Sequence, residues 1–129
     1  MTPPIPLRHH RVRLNGIDLH WAEAGPTSGT PVILLHGFPE SHRTWREIAP
    51  QLQDDFHLVM PDQRGFTGSD RPQQVEAYEA ETLVDDIFAL ADALSLECFA
   101  IVGHDWGGAI GWTSALRDDP RLTRLAIIN

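Results

Sequence analysis

An α/β fold is predicted here: a mostly parallel sheet with helices on both faces and an antiparallel hairpin at the N-terminal end. Three observations point to it. Short apolar runs alternate with segments whose apolar residues recur at helical spacing. The apolar runs are continuous, as in strands covered on both faces, not alternating as in strands with one wet face. The first two strands flank Asn15-Gly16, the strongest short hairpin signal. Strand-helix alternation of this kind implies right-handed crossovers between parallel strands.

Taken in order, residues 9–25 (HHRVRLNGIDLHWAEAG) form the hairpin. Residues 31–37 (PVILLHG) are a buried strand closed by glycine. In residues 40–52 (ESHRTWREIAPQL), Trp45, Ile48, Ala49 and Leu52 recur at helical spacing, which predicts a helix. Residues 56–62 (FHLVMPD) are a second buried strand, and residues 63–72 (QRGFTGSDRP) a Gly/Ser/Pro loop. Residues 79–94 predict a long helix with Leu83, Ile87, Leu90, Ala91 and Leu94 on one face. Residues 98–103 (CFAIVG) are a strand, residues 107–119 a helix, and residues 122–129 (LTRLAIIN) a last strand. The proline-rich opening, MTPPIP, is expected to be disordered.

The 129 residues fit one domain, and 42% are apolar, enough to build a core. The formal net charge of −8 leaves no basic stripe to follow phosphates, so nucleic-acid binding is disfavoured. No apolar run approaches the roughly 20 residues that cross a bilayer, and no charged-then-apolar leader opens the chain. No membrane association and a cytoplasmic location are therefore the expectation. The single cysteine, Cys98, is expected to be a buried small hydrophobe in CFAIV and not a reactive thiol. No cofactor is implied. No metal is expected either, because no histidine pair has ligand spacing near the glycine-rich turn and His9-His10 point to opposite faces of a strand.

The chemistry concentrates in VGHDWGGAI, residues 102–110. Glycines between a strand and a helix suggest phosphate binding, yet Gly103, Gly107 and Gly108 do not make G-x-G-x-x-G, and no Gly-Lys-Ser/Thr is present. An acid at Asp105 would also repel a pyrophosphate. A nucleophile elbow fits better. Its apex side chain is exposed in a strained turn, and glycines two before and two after let strand and helix approach. Gly103 and Gly107 hold those positions around Asp105. The helix N-terminus beyond favours an ionised carboxylate, as a nucleophile requires. The competing assignment is an ordinary helix N-cap, for which Asp is a favoured residue.

LLHGFPES ends the first buried strand. In an elbow fold that loop supplies one N–H of an oxyanion hole and the residue after the nucleophile supplies the other. Here the donors would be the backbone N–H groups of Phe38 and Trp106. Pro39 stiffens the loop and is expected to follow a cis bond. Phe38, Pro39 and Trp106 are also the candidate substrate-binding residues. In the next loop, Arg64 is expected to pin the chain by pairing with Asp62 or nearby carbonyls.

Those three stretches, in that order, resemble the α/β-hydrolase superfamily, and within it the epoxide hydrolase and haloalkane dehalogenase branch. GHDWGG, with aspartate in place of the usual serine, is similar to that branch, and HGFPES is similar to epoxide hydrolases. Haloalkane dehalogenases usually carry asparagine where this chain has Phe38. Fluoroacetate dehalogenases usually carry arginine where it has Trp106. The resemblance implies a hydrolase in which Asp105 attacks an epoxide carbon to form an ester. Water activated by an acid-held histidine then cleaves that ester, while the Phe38 and Trp106 amides stabilise its oxyanion. The substrate implied is a small epoxide or, as the alternative, an organohalide; a third alternative is a non-catalytic remnant or partner-binding module.

The resemblance covers the N-terminal part of the family's core domain, so residues 1–129 are expected to be that part, without the cap domain and C-terminal portion. In this fold the triad runs nucleophile, acid, histidine, and residues 106–129 contain no histidine. None of the seven histidines is expected to serve as base: His36 is expected to brace the oxyanion loop and His104 to pack and hydrogen-bond. Tyr78, the one tyrosine, precedes the long helix and is not assigned a role on the epoxide oxygen. The chain alone is expected to form the ester without releasing it. Residues 122–129 would then be an exposed apolar edge strand, through which self-association is expected.

Overall fold

The Asn15-Gly16 turn joins β1 (Arg8–Leu14) to β2 (Ile17–Ala24) in antiparallel register, with Leu14 opposite Ile17 and His9 opposite Ala22. Both turn residues have positive φ, 50° and 81°, the pair of conformations a two-residue hairpin of this twist needs. The computed structural model describes residues 5–129; the expectation of disorder at the opening falls mainly on residues 1–4, outside that range.

The sheet continues with β3 (Thr30–Leu35), β4 (Phe56–Pro61), β5 (Phe99–His104) and β6 (Leu122–Ile128) in the order β1-β2-β4-β3-β5-β6. β2 meets β4 antiparallel, and β4, β3, β5 and β6 are parallel. The chain steps from β3 to one side, then crosses back to place β5 on the other. Strand order therefore reverses at β3, and a crevice opens where the loops leaving β3 and β5 part to opposite faces, the position at which open α/β sheets bind ligands.

Continuous apolar strands follow from this layering. Ile33 and Leu35 of β3 face one side, with Phe99 and Ile101 of β5, under α2 (Ala80–Ala93) and α3 (Trp106–Leu116). The predicted stripe of α2 is what packs there: Leu83, Ile87, Leu90 and Ala91 are buried and Leu94 sits at the margin. Each such large side chain contributes about 1.5–3 kcal/mol by leaving water. On the other side Val32, Leu34, Leu58 and Met60 pack against Trp45 and Ala49.

Residues 40–52 are not one helix. A 3-10 turn, His42–Trp45, is capped by the Ser41 hydroxyl accepting from the Arg43 N–H at 3.1 Å, and a separate short α1 follows at Ala49–Leu52. Pro50 explains the break: it has no N–H to offer the Arg46 carbonyl, and its ring crowds a helix continued through that point. Trp45 and Ala49 still reach the core, while Ile48 is turned out. Cys98 is exposed, not buried, because β5 begins one residue later and Cys98 lies in the preceding bend. Arg64 does pin its loop, but to Asp86 of α2 and not to Asp62; it also donates to the carbonyls of Asn15 and Ala77. Among the described residues no helix is long and apolar enough to cross a membrane.

Candidate active site at the β5–α3 turn

Asp105 is the whole connection between β5 and α3, and it holds φ 55° and ψ −121°, a conformation costing about 1–3 kcal/mol for a residue with a side chain. Close packing enforces it. A Cβ on Gly103 would collide with the Gly107 backbone, and a Cβ on Gly107 with the Leu35 carbonyl. The two glycines let α3 start directly against β5 and the end of β3. β6 fixes the apex from the far side: the Asp105 N–H donates to Asn129 Oδ1 at 3.1 Å, and His104 Nδ1 lies 2.8 Å from the Ile128 carbonyl.

The Asp105 side chain is exposed and makes no capping bond to α3. The N-cap assignment therefore does not describe it. Its Oδ2 accepts from the Phe38 N–H at 3.0 Å. Hydrogen bonds from the Phe38 N–H first, and from the Trp106 N–H second, hold its carboxyl below the ordinary carboxylate value. The group is thus an anion at neutral pH with Oδ2 occupied by the Phe38 N–H.

The loop carrying Phe38 is anchored by buried polar groups. His36 is fully buried, and burial lowers its pKa, which keeps the ring neutral. Its Nδ1–H donates to the Gly37 carbonyl at 2.9 Å while Nε2 accepts from the Gln63 N–H at 3.0 Å. Gln63 returns a bond from Nε2 to the His36 carbonyl at 2.7 Å. The Phe38-Pro39 bond is cis. Farther along, the backbone N–H and Nδ1–H of His42 both donate to Asp62 Oδ1 at 2.8 Å. Asp62 is fully buried; burial works against its charge, but the His42 bonds and the Gly68 N–H together hold it well below the usual carboxylate range. One carboxylate thereby ties the loop after β3 to the loop after β4.

A cavity of about 260 Å³ is walled by Phe38, Gln63, Phe66, Tyr78, Leu83 and Trp106, with Arg64 and Gly65 at its margin. It shares Phe38 and Trp106 with the donors around the Asp105 carboxylate. Both aromatic rings stand in the open, 70% and 44% exposed, where an apolar ligand would cover them. Pro39, exposed on the same loop, is not one of these walls. Tyr78 lines the cavity, but its hydroxyl donates to the Pro72 carbonyl at 2.7 Å.

Sequence reasoning did not single out Glu40 or Asn129 for this site. Glu40 Oε1 lies 3.9 Å from His104 Nε2, beside the elbow. Glu40 could have been suspected from its place in HGFPES; nothing in the sequence marks Asn129, whose role depends on the register of β6 against β5.

The match to a family model, described as the alpha/beta hydrolase fold, runs over residues 30–129. A protein of Bacillus subtilis named AB hydrolase superfamily protein YfhM is 41% identical over 92% of this chain and 42% of its own length. Epoxide hydrolase A of Mycobacterium tuberculosis is 40% identical over 92% of this chain and 37% of its own length. Among solved structures, one described among novel epoxide hydrolases from metagenomes of hot environments superposes with a TM-score of 0.91 at 50% identity, covering 97% of this chain and 43% of that one. Epoxide hydrolase A of Mycobacterium thermoresistibile gives 0.90 at 39% identity, covering 95% and 39%. The chain spans less than half the length of these relatives.

Proposed function

Since this chain belongs to the alpha/beta hydrolase fold family, we propose that it is the portion of an epoxide hydrolase that carries the nucleophile, Asp105, and the oxyanion donors, the N–H groups of Phe38 and Trp106. The single observation that carries the reading is the Phe38 N–H bonded at 3.0 Å to the carboxylate of an exposed, strained Asp105. Relatives named epoxide hydrolases, 40% and 39% identical, support the choice of substrate.

The geometry assigns the two carboxylate oxygens different work. Oδ2 accepts from the Phe38 N–H, so Oδ1 is assigned as the atom that attacks. Its lone pair forms a bond to an epoxide carbon as the ring C–O bond breaks, and the released alkoxide takes a proton from solvent water. The product is an ester whose carbonyl oxygen is Oδ2, already bonded to the Phe38 N–H, with the Trp106 N–H proposed as the second donor. When water adds to that ester carbon, negative charge develops on Oδ2, where the two donors meet it without reorganising. Phe38 and Trp106 are the proposed substrate contacts within the cavity and Pro39, exposed beside Phe38, a proposed contact outside it; the exposed rings suit an apolar epoxide.

The second half-reaction needs a general base, and residues 106–129 supply no histidine. A polypeptide of these 129 residues is therefore expected to accumulate the ester without turnover. Intact-mass spectrometry after incubation with a reactive styrene oxide should show one adduct per chain, mapped to Asp105, and no continuing diol release. Steady diol production by the 129-residue polypeptide would contradict this. Adduct formation followed by release on adding a separately expressed C-terminal half would support the enzyme reading over a non-catalytic module. If only organohalides label Asp105, with halide released, the dehalogenase alternative replaces epoxide hydrolysis.

We also propose that this polypeptide self-associates through β6. Its residues Leu122–Ile128 are mostly exposed, and beside them an apolar hollow of about 510 Å³ is walled by Val32, Leu52, Phe56, Ala100, Val102 and Ala126. A free strand edge next to uncovered apolar surface invites pairing. Analytical ultracentrifugation should show the monomer fraction falling with concentration, and Ala126→Lys, an exposed change on the wall of the hollow, should restore it; a monomer at all concentrations refutes the idea.

A further inference from the structure

We propose a divalent-cation site, best matched to Zn²⁺, formed by His9, His20 and His42 over the buried carboxylate of Asp62. The expectation that no metal binds considered histidine spacing near the elbow. These ligands are distant from it in sequence and are gathered by the sheet: His9 from β1, His20 from β2, His42 from the turn after β3, and Asp62 from the end of β4. His9 and His10 do face opposite sides of β1. His10 stacks on Trp21, which leaves His9 to face His20 and His42.

Three observations support the site. The first is spacing. The ring centroids of the three histidines stand 5.2, 5.1 and 5.7 Å apart. The 5.2 Å between His9 and His20 is that of a head-on nitrogen contact, so an ion with ~2.0–2.1 Å bonds needs His9 to swivel, while the 5.1 and 5.7 Å spacings keep all three rings within reach of one ion. The second is the Asp62 carboxylate. One potential ligand atom each from His20, His42 and Asp62 already lie within 4.8 Å of one another, a grouping that His9 joins only by moving. Asp62 Oδ2 accepts from His20 Nδ1–H and Oδ1 from His42 Nδ1–H, both at 2.8 Å, with the His42 and Gly68 N–H groups filling its remaining acceptor positions. With Nδ1 protonated on both rings, Nε2 of each carries a lone pair, and that of His20 is taken up by His9. A carboxylate behind the ligating histidine is the arrangement that orients metal-bound imidazoles and raises their basicity.

The third observation is the contact between His9 Nδ1 and His20 Nε2 at 2.9 Å. Two ring nitrogens meet there, sharing one proton. A cation substitutes for that proton when His9 takes its other tautomer and swivels, and His9 is exposed enough to do so. Three imidazoles select Zn²⁺ over Mg²⁺ or Ca²⁺, which prefer oxygen ligands. The fourth position would be open to water. Such an ion would clip β1 to the loop whose other end carries Phe38.

The test uses the 129-residue chain without a histidine tag, stripped with chelator. Calorimetric titration with ZnCl₂ at pH 7.5 is expected to give one ion per chain at micromolar affinity or tighter. Co²⁺ is expected to give the visible d–d bands of a four-coordinate ion, displaced by Zn²⁺ and untouched by Mg²⁺. His9→Ala, an exposed change that touches only neighbouring rings, should weaken binding more than ~10-fold, whereas His10→Ala on the opposite face should not. No saturable binding, binding unaltered in His9→Ala, or equal competition by Mg²⁺ would each overturn the site and leave a hydrogen-bonded histidine cluster. Because the readout is metal binding, the outcome is independent of whether Asp105 forms an ester.

Discussion

Asp105→Asn is expected to abolish adduct formation with an activated epoxide, lowering its rate at least ~10³-fold, as loss of a covalent nucleophile does in other hydrolases. The amide keeps the shape of the side chain and tolerates positive φ, so the elbow should survive. It removes the anion whose lone pair attacks. Asp105→Gly separates chemistry from stability in the opposite sense. Glycine adopts φ 55° freely, so this variant should be as stable as the parent or about 1 kcal/mol more stable, yet inert. Labelling by intact mass, with thermal melts of all three proteins, checks both. An adduct persisting in Asp105→Asn would move the nucleophile elsewhere, with Glu40 the neighbouring carboxylate to examine first.

Asp86→Ala should be the most damaging change away from the site, costing about 3–5 kcal/mol. Asp86 is buried on α2 and receives two bonds from Arg64, at 2.9 Å each, and one from Asn15 Nδ2 at 2.8 Å. It joins the hairpin turn, the loop after β4 and α2 at one point. Truncating it leaves the Arg64 guanidinium buried, 6% exposed, without a counter-charge. Urea unfolding should show the loss as a lower midpoint with an unchanged slope. Pairing Asp86→Leu with Arg64→Leu should recover much of it, because both charges then leave together. The exposed pairs of Arg117 with Glu81 and Asp85 provide the contrast, and removing either acid should cost no more than about 1 kcal/mol. Equal effects at the two places would mean that burial does not control these pairs.

Much of this architecture was legible in the sequence because the signals are local. Asn15-Gly16 can adopt the turn of a tight hairpin unaided. The stripe on α2 and the unbroken apolar strands report which faces are covered, whatever covers them. Two local expectations failed for local reasons. Pro50 sits inside an otherwise helical pattern and splits it, and Cys98 lies one residue outside the strand whose apolar run it appeared to share.

The sequence alone also determined the elbow. Gly103, Asp105 and Gly107 mark a strained apex within five residues, although the close approach that requires Gly107 is to Leu35 of β3. Tertiary structure decided what surrounds the apex. The distance of the Phe38 N–H from Oδ2, the Asn129 brace, the Arg64–Asp86 bond and the histidines over Asp62 all join residues at least 11 positions apart. Their meeting depends on strand order and register, which a change of one residue would redirect to the other face. Hydrophobic spacing encodes which side of a strand is buried. It does not encode which strand lies beside it, and so the partners of a buried charge appear only when the sheet is assembled.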